Sequence, residues 1–216
     1  MEGRLGSVIT TGSGQFHVYT APSDTYVKLN VAVTSTAVAV VKLYISPDNT
    51  PAAIDLIQLD KLRQTGTYGY ERTAIILSPD EQVWIEADIA GVSCNVYGTE
   101  FKVSTETSGK LNSSNISTAT STSIYTTPSN KTAAVNVSVV MNSLSDSCDV
   151  ELYLADTGTE DAAELIQKET LNTILTGFER SGIMLTENQR LILKTANVVG
   201  AVSTRVHGFQ REKRVV

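Results

Sequence analysis

The chain has 216 residues, of which 41% are hydrophobic and 19% charged, and a net charge of −6. Phosphate contacts need a surplus of Lys and Arg, so this balance excludes a general nucleic-acid binder, and it suits an anionic membrane surface no better. No apolar run approaches the roughly 20 residues of a membrane span, and MEGRLGSVITTGSG lacks a secretory apolar core, so the expectation is a soluble protein made in a cytoplasm.

In chain order the first feature is Gly3-Arg4-Leu5 with Ser7. YTAPSDTYVKLNVAV follows from Tyr19, VKLYI from Val41, DLIQ from Asp55, YERTAIILSPDEQVWIEA from Tyr70 and VSCNVYG from Val92. All of these return in the same order. Gly109-Lys110-Leu111 comes with Ser113, then YTTPSNKTAAVNVSV from Tyr125, VELYL from Val150, ELIQ from Glu164, FERSGIMLTENQRLILKT from Phe178 and VSTRVHG from Val202. A period of half the chain is too long for a solenoid and fits a whole domain copied once. The expected organisation is copy 1 over 1–101, a linker over 102–108, copy 2 over 109–210 and a basic tail over 211–216.

Substitutions between the copies show which side chains must stay apolar. Val27, Leu29, Val31 and Val33 become Ala133, Val135, Val137 and Val139, while Tyr26, Lys28 and Ala32 become Thr132, Ala134 and Ser138. One face is held and the other drifts, the period-2 signature of a strand with one buried side. Val41, Leu43 and Ile45 map likewise onto Val150, Leu152 and Leu154, and Val83 and Ile85 onto Leu191 and Leu193. On the outer face Glu86 becomes Lys194, which reads as a reversal tolerated in solvent.

Turn signals such as APSD, SPDN, LSPDE, TPSN and LTENQ separate these runs into seven or eight short strands per copy. TPAAIDLIQLDKL and TEDAAELIQKETL suit a strand or a short turn of helix equally, with Thr159 resembling a helix start. The fold class read from this pattern is all-β, as two tandem, homologous antiparallel β-sandwich domains, Ig-like or jelly-roll-like.

Candidate chemistry is sparse. Cys94 and Cys148 lack disulfide-framework or zinc spacing and read as separate reduced thiols. The two histidines, His17 and His207, align with Ser123 and Tyr97, so neither is repeated as a catalytic base would be. Asp48, Asp80 and Glu81 in one copy and Asp156, Glu160 and Asp161 in the other differ in type and spacing, unlike a paired-carboxylate site. DTGTED lacks the calcium-loop spacing, no phosphate-cradling glycine loop is present, and the N-x-[ST] triplets at Asn112, Asn115, Asn130 and Asn136 are compositional. No catalytic, metal or cofactor residue is assigned. The one charged pair repeated unchanged is Glu71-Arg72 and Glu179-Arg180. Neighbours on a strand face opposite ways, so each pair reads as a structural clamp at a sheet edge or corner, or as an interface contact. Tyr44 and Tyr153 stay tyrosine on the outward side while Lys42 beside them becomes Glu151. They are candidate interface anchors, or else covers of their own sheet.

The order G-[KR]-L-x-S, Y-T-x-P-S, N-V-x-V, E-R-[TS]-x-I-x-L and V-S-x-x-V-x-G resembles a module of tailed-bacteriophage structural genes, particularly of cyanophages and other marine phages. The resemblance covers nearly the whole chain, once per copy. Members carry Gly after the I-x-L-S turn, where this chain has Asp80 and Asn188. The resemblance implies a non-enzymatic virion component of capsid, neck, tail or fibre base, assembling with other virion proteins and as a homo-oligomer or in many copies, with no nucleic acid or membrane partner and no cofactor. The competing reading is a carbohydrate-binding or adhesin-like module, which the low aromatic content (6%) and the replacement of Trp84 by Ile192 disfavour.

Overall fold

The computed structural model describes residues 2–62, 69–102 and 107–212. The chain divides into two compact units, Met1–Ser104 and Thr105–Val216. The first unit holds β1 (Glu2–Ile9), β2 (Gly14–Thr20), β3 (Thr25–Ser35), β4 (Ala39–Ser46), β5 (Leu56–Leu62), β6 (Gly69–Leu77), β7 (Gln82–Ala87) and β8 (Val92–Lys102). The second holds β9 (Thr107–Ile116), β10 (Thr120–Thr126), β11 (Lys131–Met141), β12 (Ser147–Ala155), β13 (Leu165–Leu171), β14 (Gly177–Leu185), β15 (Arg190–Val199) and β16 (Val202–Glu212). The architecture is all-β. Each unit has two four-stranded sheets with antiparallel pairing, ordered β1-β8-β3-β6 and β2-β7-β4-β5 in the first. In the second the orders are β9-β16-β11-β14 and β10-β15-β12-β13, the same orders eight strands on. No helix among the described residues is long and apolar enough to cross a membrane.

Alternation places the core. In the first unit Val27, Leu29, Val31 and Val33 of one sheet share an apolar cluster with Val41, Leu43, Ile45, Val83 and Ile85 of the other. The second unit repeats this with Val135, Val137 and Val139 against Val150, Leu152, Leu191 and Leu193. Val31, Val137, Leu43, Leu152, Ile85 and Leu193 are all fully buried.

The helix-compatible stretches resolve into both alternatives. A single 3-10 turn, Ala53–Asp55 or Ala162–Glu164, leads into β5 or β13. The start signal lies at Asp161 and not at Thr159: its carboxylate accepts from the Ala163 amide at 2.9 Å, while Glu164 accepts from the Asp161 amide at 3.0 Å. The linker and tail are shorter than expected. Lys102 belongs to β8, Thr107 and Ser108 belong to β9, and Arg211 and Glu212 extend β16 opposite Thr132 and Lys131. Residues 103–106 and 213–216 lie outside the described residues.

The units also share their irregularities. The pairing register skips Leu5 and Leu111, Val18 and Ile124, and Ile57 and Ile166 at matching places. A further bulge lies in β6 and β14, where Ala74 (φ 57°) and Gly182 (φ 72°) are left-handed. There the Asn30 and Asn136 side chains accept from the Ala74 and Gly182 amides at 3.0 and 2.9 Å. Glycine adopts this conformation freely and alanine does not, so substitutions at the two sites should act with opposite signs. Ala74→Gly is expected to stabilise the first unit and Gly182→Ala to destabilise the second, each by about 1 kcal/mol. Chemical denaturation giving the same sign at both positions would refute the equivalence.

The repeated tyrosine of the Y-T-x-P-S phrase joins the two sheets of its unit. Tyr19 donates to Glu100 at 2.8 Å, and Tyr125 accepts from Gln210 at 2.7 Å. The following turns interlock: Ala21 and Asp80 exchange with each other's turn through Ala21 N to Glu81 O at 2.9 Å and Asp80 N to Ala21 O at 3.1 Å. Thr127, Gln189 and Asn188 repeat both bonds. Asp80 and Asn188 have φ of 64° and 65°. These residue types tolerate the left-handed region best after glycine, so Asp80 and Asn188 hold a backbone conformation that a glycine would also adopt.

Candidate assembly faces

The outer face of the β2-β7-β4-β5 sheet carries Gln15, Lys42, Tyr44 and Glu86, with Lys42 and Glu86 paired across β4 and β7. Lys42 Nζ lies 2.7 Å from Glu86 Oε1, while Gln15 and Tyr44 donate to Oε2 at 3.0 and 2.9 Å. At the equivalent cross-strand position of the second unit stand Glu151 and Lys194. Lys194 lies 3.5 Å from Glu151, Lys168 lies 2.7 Å from it, and Tyr153 donates to it at 2.7 Å. The ion pair is thus exchanged as a unit. Whichever strand carries the carboxylate, the invariant tyrosine donates to it.

This corrects one expectation and narrows another. The change of Glu86 to Lys194 is not a solitary reversal absorbed by solvent, because Lys42 reverses with it. Nor do Tyr44 and Tyr153 protrude as anchors: each is 5% exposed, with its hydroxyl committed to a carboxylate of its own unit. They cover their sheets, and Tyr153 packs with Ala155 and Ile192. Burial by itself would raise the Glu86 carboxyl, but hydrogen bonds from Lys42, Gln15 and Tyr44 hold it below the ordinary range. The hydrogen bonds from Lys168 and then Tyr153 pull Glu151 down to about 2, and the same bond to Glu151 pushes Tyr153 up to about 12.

Lys42→Glu should destabilise the first unit by setting two carboxylates side by side, and adding Glu86→Lys should recover it. A coupling of about 0.5–1 kcal/mol in the double-mutant cycle is expected, and strictly additive effects would dissolve the pairing. The pH dependence has a definite sign. Glu151 is more acidic folded than unfolded, so its stabilisation is fully present above its ordinary value of 4.5 and is lost as pH falls towards about 2. The stability difference between the unmodified chain and Glu151→Gln should shrink across that window.

The Glu-Arg pairs part company. Glu71 is exposed and accepts from the Tyr97 hydroxyl. Arg72 reaches from β6 to the carbonyl of Ile57 at 3.3 Å, the residue bulged out of β5, and so ties an edge strand of one sheet to an edge strand of the other. In the second unit Arg180 is exposed and Glu179 accepts from Ser181 at 2.9 Å. Among the described residues, this reach between the two sheets of a unit is made by Arg72 and not by Arg180.

The remaining candidates form structural contacts. Glu81 accepts from the Ser78 amide at 2.7 Å, Asp156 from Gln189 at 2.7 Å and Glu160 from Ser121 at 2.7 Å. Asp48 is exposed in the turn after β4, its amide bonded to the Ser46 hydroxyl at 3.1 Å. His17 lies edge-on to Trp84 at 5.1 Å and contacts Thr20 at 2.8 Å, whereas His207 stands in register between Asn136 and Lys110. Cys94 and Cys148 are buried free thiols, one in each unit, and burial pushes Cys94 up to about 12. Among the described residues no three His, Cys, Asp or Glu side chains come together as metal ligands. Sequence reasoning missed Gln15, Lys42, Glu86, Glu151, Lys168 and Lys194 as a network, although the paired reversal was visible once both changes were read together.

No family model and no curated protein matches the chain. Among solved structures, it is similar to the major capsid protein P2 of bacteriophage PM2, at 11% identity over 99% of this chain and 97% of that one, with a TM-score of 0.40. A chain of Broad Bean Stain Virus gives 8% identity, 98% and 90% coverage and a TM-score of 0.40. A fucolectin from striped bass (Morone saxatilis) serum gives 8%, 94% and 84% with a TM-score of 0.29. At these scores none of the three decides function.

Proposed function

We propose that the chain is a non-enzymatic structural component of a virus particle, built from two tandem, homologous jelly-roll sandwiches and acting through protein–protein assembly. In each unit the strand order 1-8-3-6 faces 2-7-4-5 and the inward side chains of the two sheets share one cluster, which supports an eight-stranded jelly roll formed of two Greek keys. Four sheets of four strands would also supply a four-bladed propeller, but a blade takes its strands consecutively and no sheet here does. A jelly roll serves capsids and lectins alike, so fold alone does not choose between them.

The observation that carries the choice is what the two copies keep. They keep strand order, four bulges and two interlocked turns, all features of a scaffold. The carboxylates they keep in equivalent settings serve the scaffold. Asp55 and Glu164 each accept from the amide that starts a 3-10 turn, Asp60 and Glu169 each accept from the glutamine two residues before, and Glu71 and Glu179 belong to the E-R motif. Neither histidine and neither thiol has a counterpart of its own type in the other copy. Duplication of a scaffold gives two linked contact surfaces, and linked weak contacts gain avidity. The phage-gene resemblance extends the reading to a tailed-phage capsid decoration, neck, tail or fibre-attachment protein. Mass spectrometry and immunogold labelling of purified particles should find the chain there in stoichiometric amount. Absence from particles, or turnover of a substrate by the isolated protein, would overturn the proposal. Binding on a glycan array would replace it with the carbohydrate-binding reading.

A further inference from the structure

A duplicated β chain faces a choice that a single copy does not. Residues 103–106 alone separate β8 from β9. During folding each strand therefore meets the pairing partners of its own unit, and those of the other, at high effective concentration. Strand swapping between homologous neighbours is a characteristic failure of such chains. β4 and β12 show how little separates the right pairing from the wrong one. Leu43 lies opposite Ile85 where Leu152 lies opposite Leu193, and all four are fully buried. Both strands break register with their edge partner at the same point, after Leu43 and after Leu152. Backbone shape and core face would accept β4 in the place of β12.

The outer face would not. In its own sheet Lys42 lies opposite Glu86 on β7 and Leu59 on β5. Glu151 lies opposite Lys194 on β15 and Lys168 on β13. Set in the place of β12 and in the same register, β4 would carry Lys42 between Lys194 and Lys168, three cations in a row. β12 in the place of β4 would bring Glu151 against Glu86. Side chains directly opposite on paired strands are close neighbours, and like charges there destabilise the pair. The side chains of Lys42 and Glu86 are only 28% and 29% exposed, so solvent ions screen them incompletely.

We propose that the exchanged ion pair sorts the strands during folding: it directs β4 to β7 and β12 to β15, and rejects the crossed pairings. Either orientation gives its own unit an ion pair with a tyrosine donating to the carboxylate. Stability within a unit therefore does not call for opposite orientations in the two copies, whereas sorting between copies does. The inference concerns how one chain folds and is independent of what the chain assembles into.

Refolding of the full chain from denaturant, at a dilution where chains do not meet, tests it. One variant carries Lys42→Glu with Glu86→Lys. A second carries Glu151→Lys and Lys194→Glu, with Lys168→Leu because Leu59 stands there in the first unit. Each of these gives both units the same orientation, so the crossed pairings become attractive. A third variant combines all the substitutions and makes the orientations opposite again. The share of chains that fail to regain native protease resistance should rise about tenfold in each of the first two, as the loss of a few repulsive cross-strand pairs allows. In the third it should fall back towards the unmodified chain. Chemical denaturation of each refolded protein gives its equilibrium stability alongside. A simple loss of stability would instead make the third variant the worst, since it carries every change. That order would overturn the proposal, and so would equal refolding of all the chains.

Discussion

Gly208→Ala is expected to destabilise the second unit by about 3 kcal/mol or more, and Gly98→Ala the first unit likewise. A Cβ on Gly208 would lie 2.2 Å from the Ala134 carbonyl oxygen and 2.8 Å from the Val135 Cα. One on Gly98 would lie 2.2 Å from the Lys28 carbonyl oxygen and 2.7 Å from the Leu29 Cα. The obstacle is backbone in both cases, and neither strand can draw away. β16 is bonded to β11 on one side and β9 on the other, and β8 is bonded to β3 and β1. Gly12→Ala, where a Cβ meets nothing within 4 Å, serves as control and should shift stability by less than about 0.5 kcal/mol. Chemical denaturation showing no difference between Gly208→Ala and the control would mean that the strands do not approach as closely as this.

Leu152→Ala should cost the second unit roughly 2–5 kcal/mol, and Leu43→Ala the first a similar amount. Both leucines are fully buried on the central strand pairs, among side chains contributed by both sheets. Truncation removes apolar contact and leaves a cavity that hydrogen-bonded strands on either side cannot collapse to fill. A loss below about 1 kcal/mol would place that strand face outside the core. Parallel losses in the two units would show that their cores are equivalent in energy as well as in position.

The inward faces of the strands were legible because the copies constrain each other: Val31 and Val137, Leu43 and Leu152, and Ile85 and Leu193 remain large and apolar while their neighbours drift. Turn positions were legible for a local reason. Proline and small polar residues at Ala21–Asp24 and Thr127–Asn130 favour turns whatever surrounds them. The 3-10 turns before β5 and β13 were half legible, since one hydrogen-bonded turn leaves too short a trace to separate from a strand.

The candidate faces were harder to read. Lys42 and Glu86 are 44 residues apart and meet only because β4 and β7 pair. Without that register, Glu86 and Lys194 look like one tolerated reversal. Tyr44 and Tyr153 looked outward by alternation, which they are, but alternation does not tell what lies over an outward side chain. The same limit applies to Tyr26 and Phe101, which are far apart in sequence and stack only through the β3–β8 register.

By itself, then, the amino-acid sequence determined that this is an all-β chain whose strand and turn pattern is written twice, and which faces of those strands are apolar. These properties depend on alternation and on the intrinsic conformations of single residues, so they survive being read one residue at a time. Only the tertiary structure decided the strand orders 1-8-3-6 and 2-7-4-5, the bulges at Ala74 and Gly182, the exchanged ion pair beneath each tyrosine, and the stacking of Tyr26 on Phe101. Each of these depends on which strands lie side by side. That choice rests on packing and pairing between residues distant in the chain, and local propensity carries no record of it.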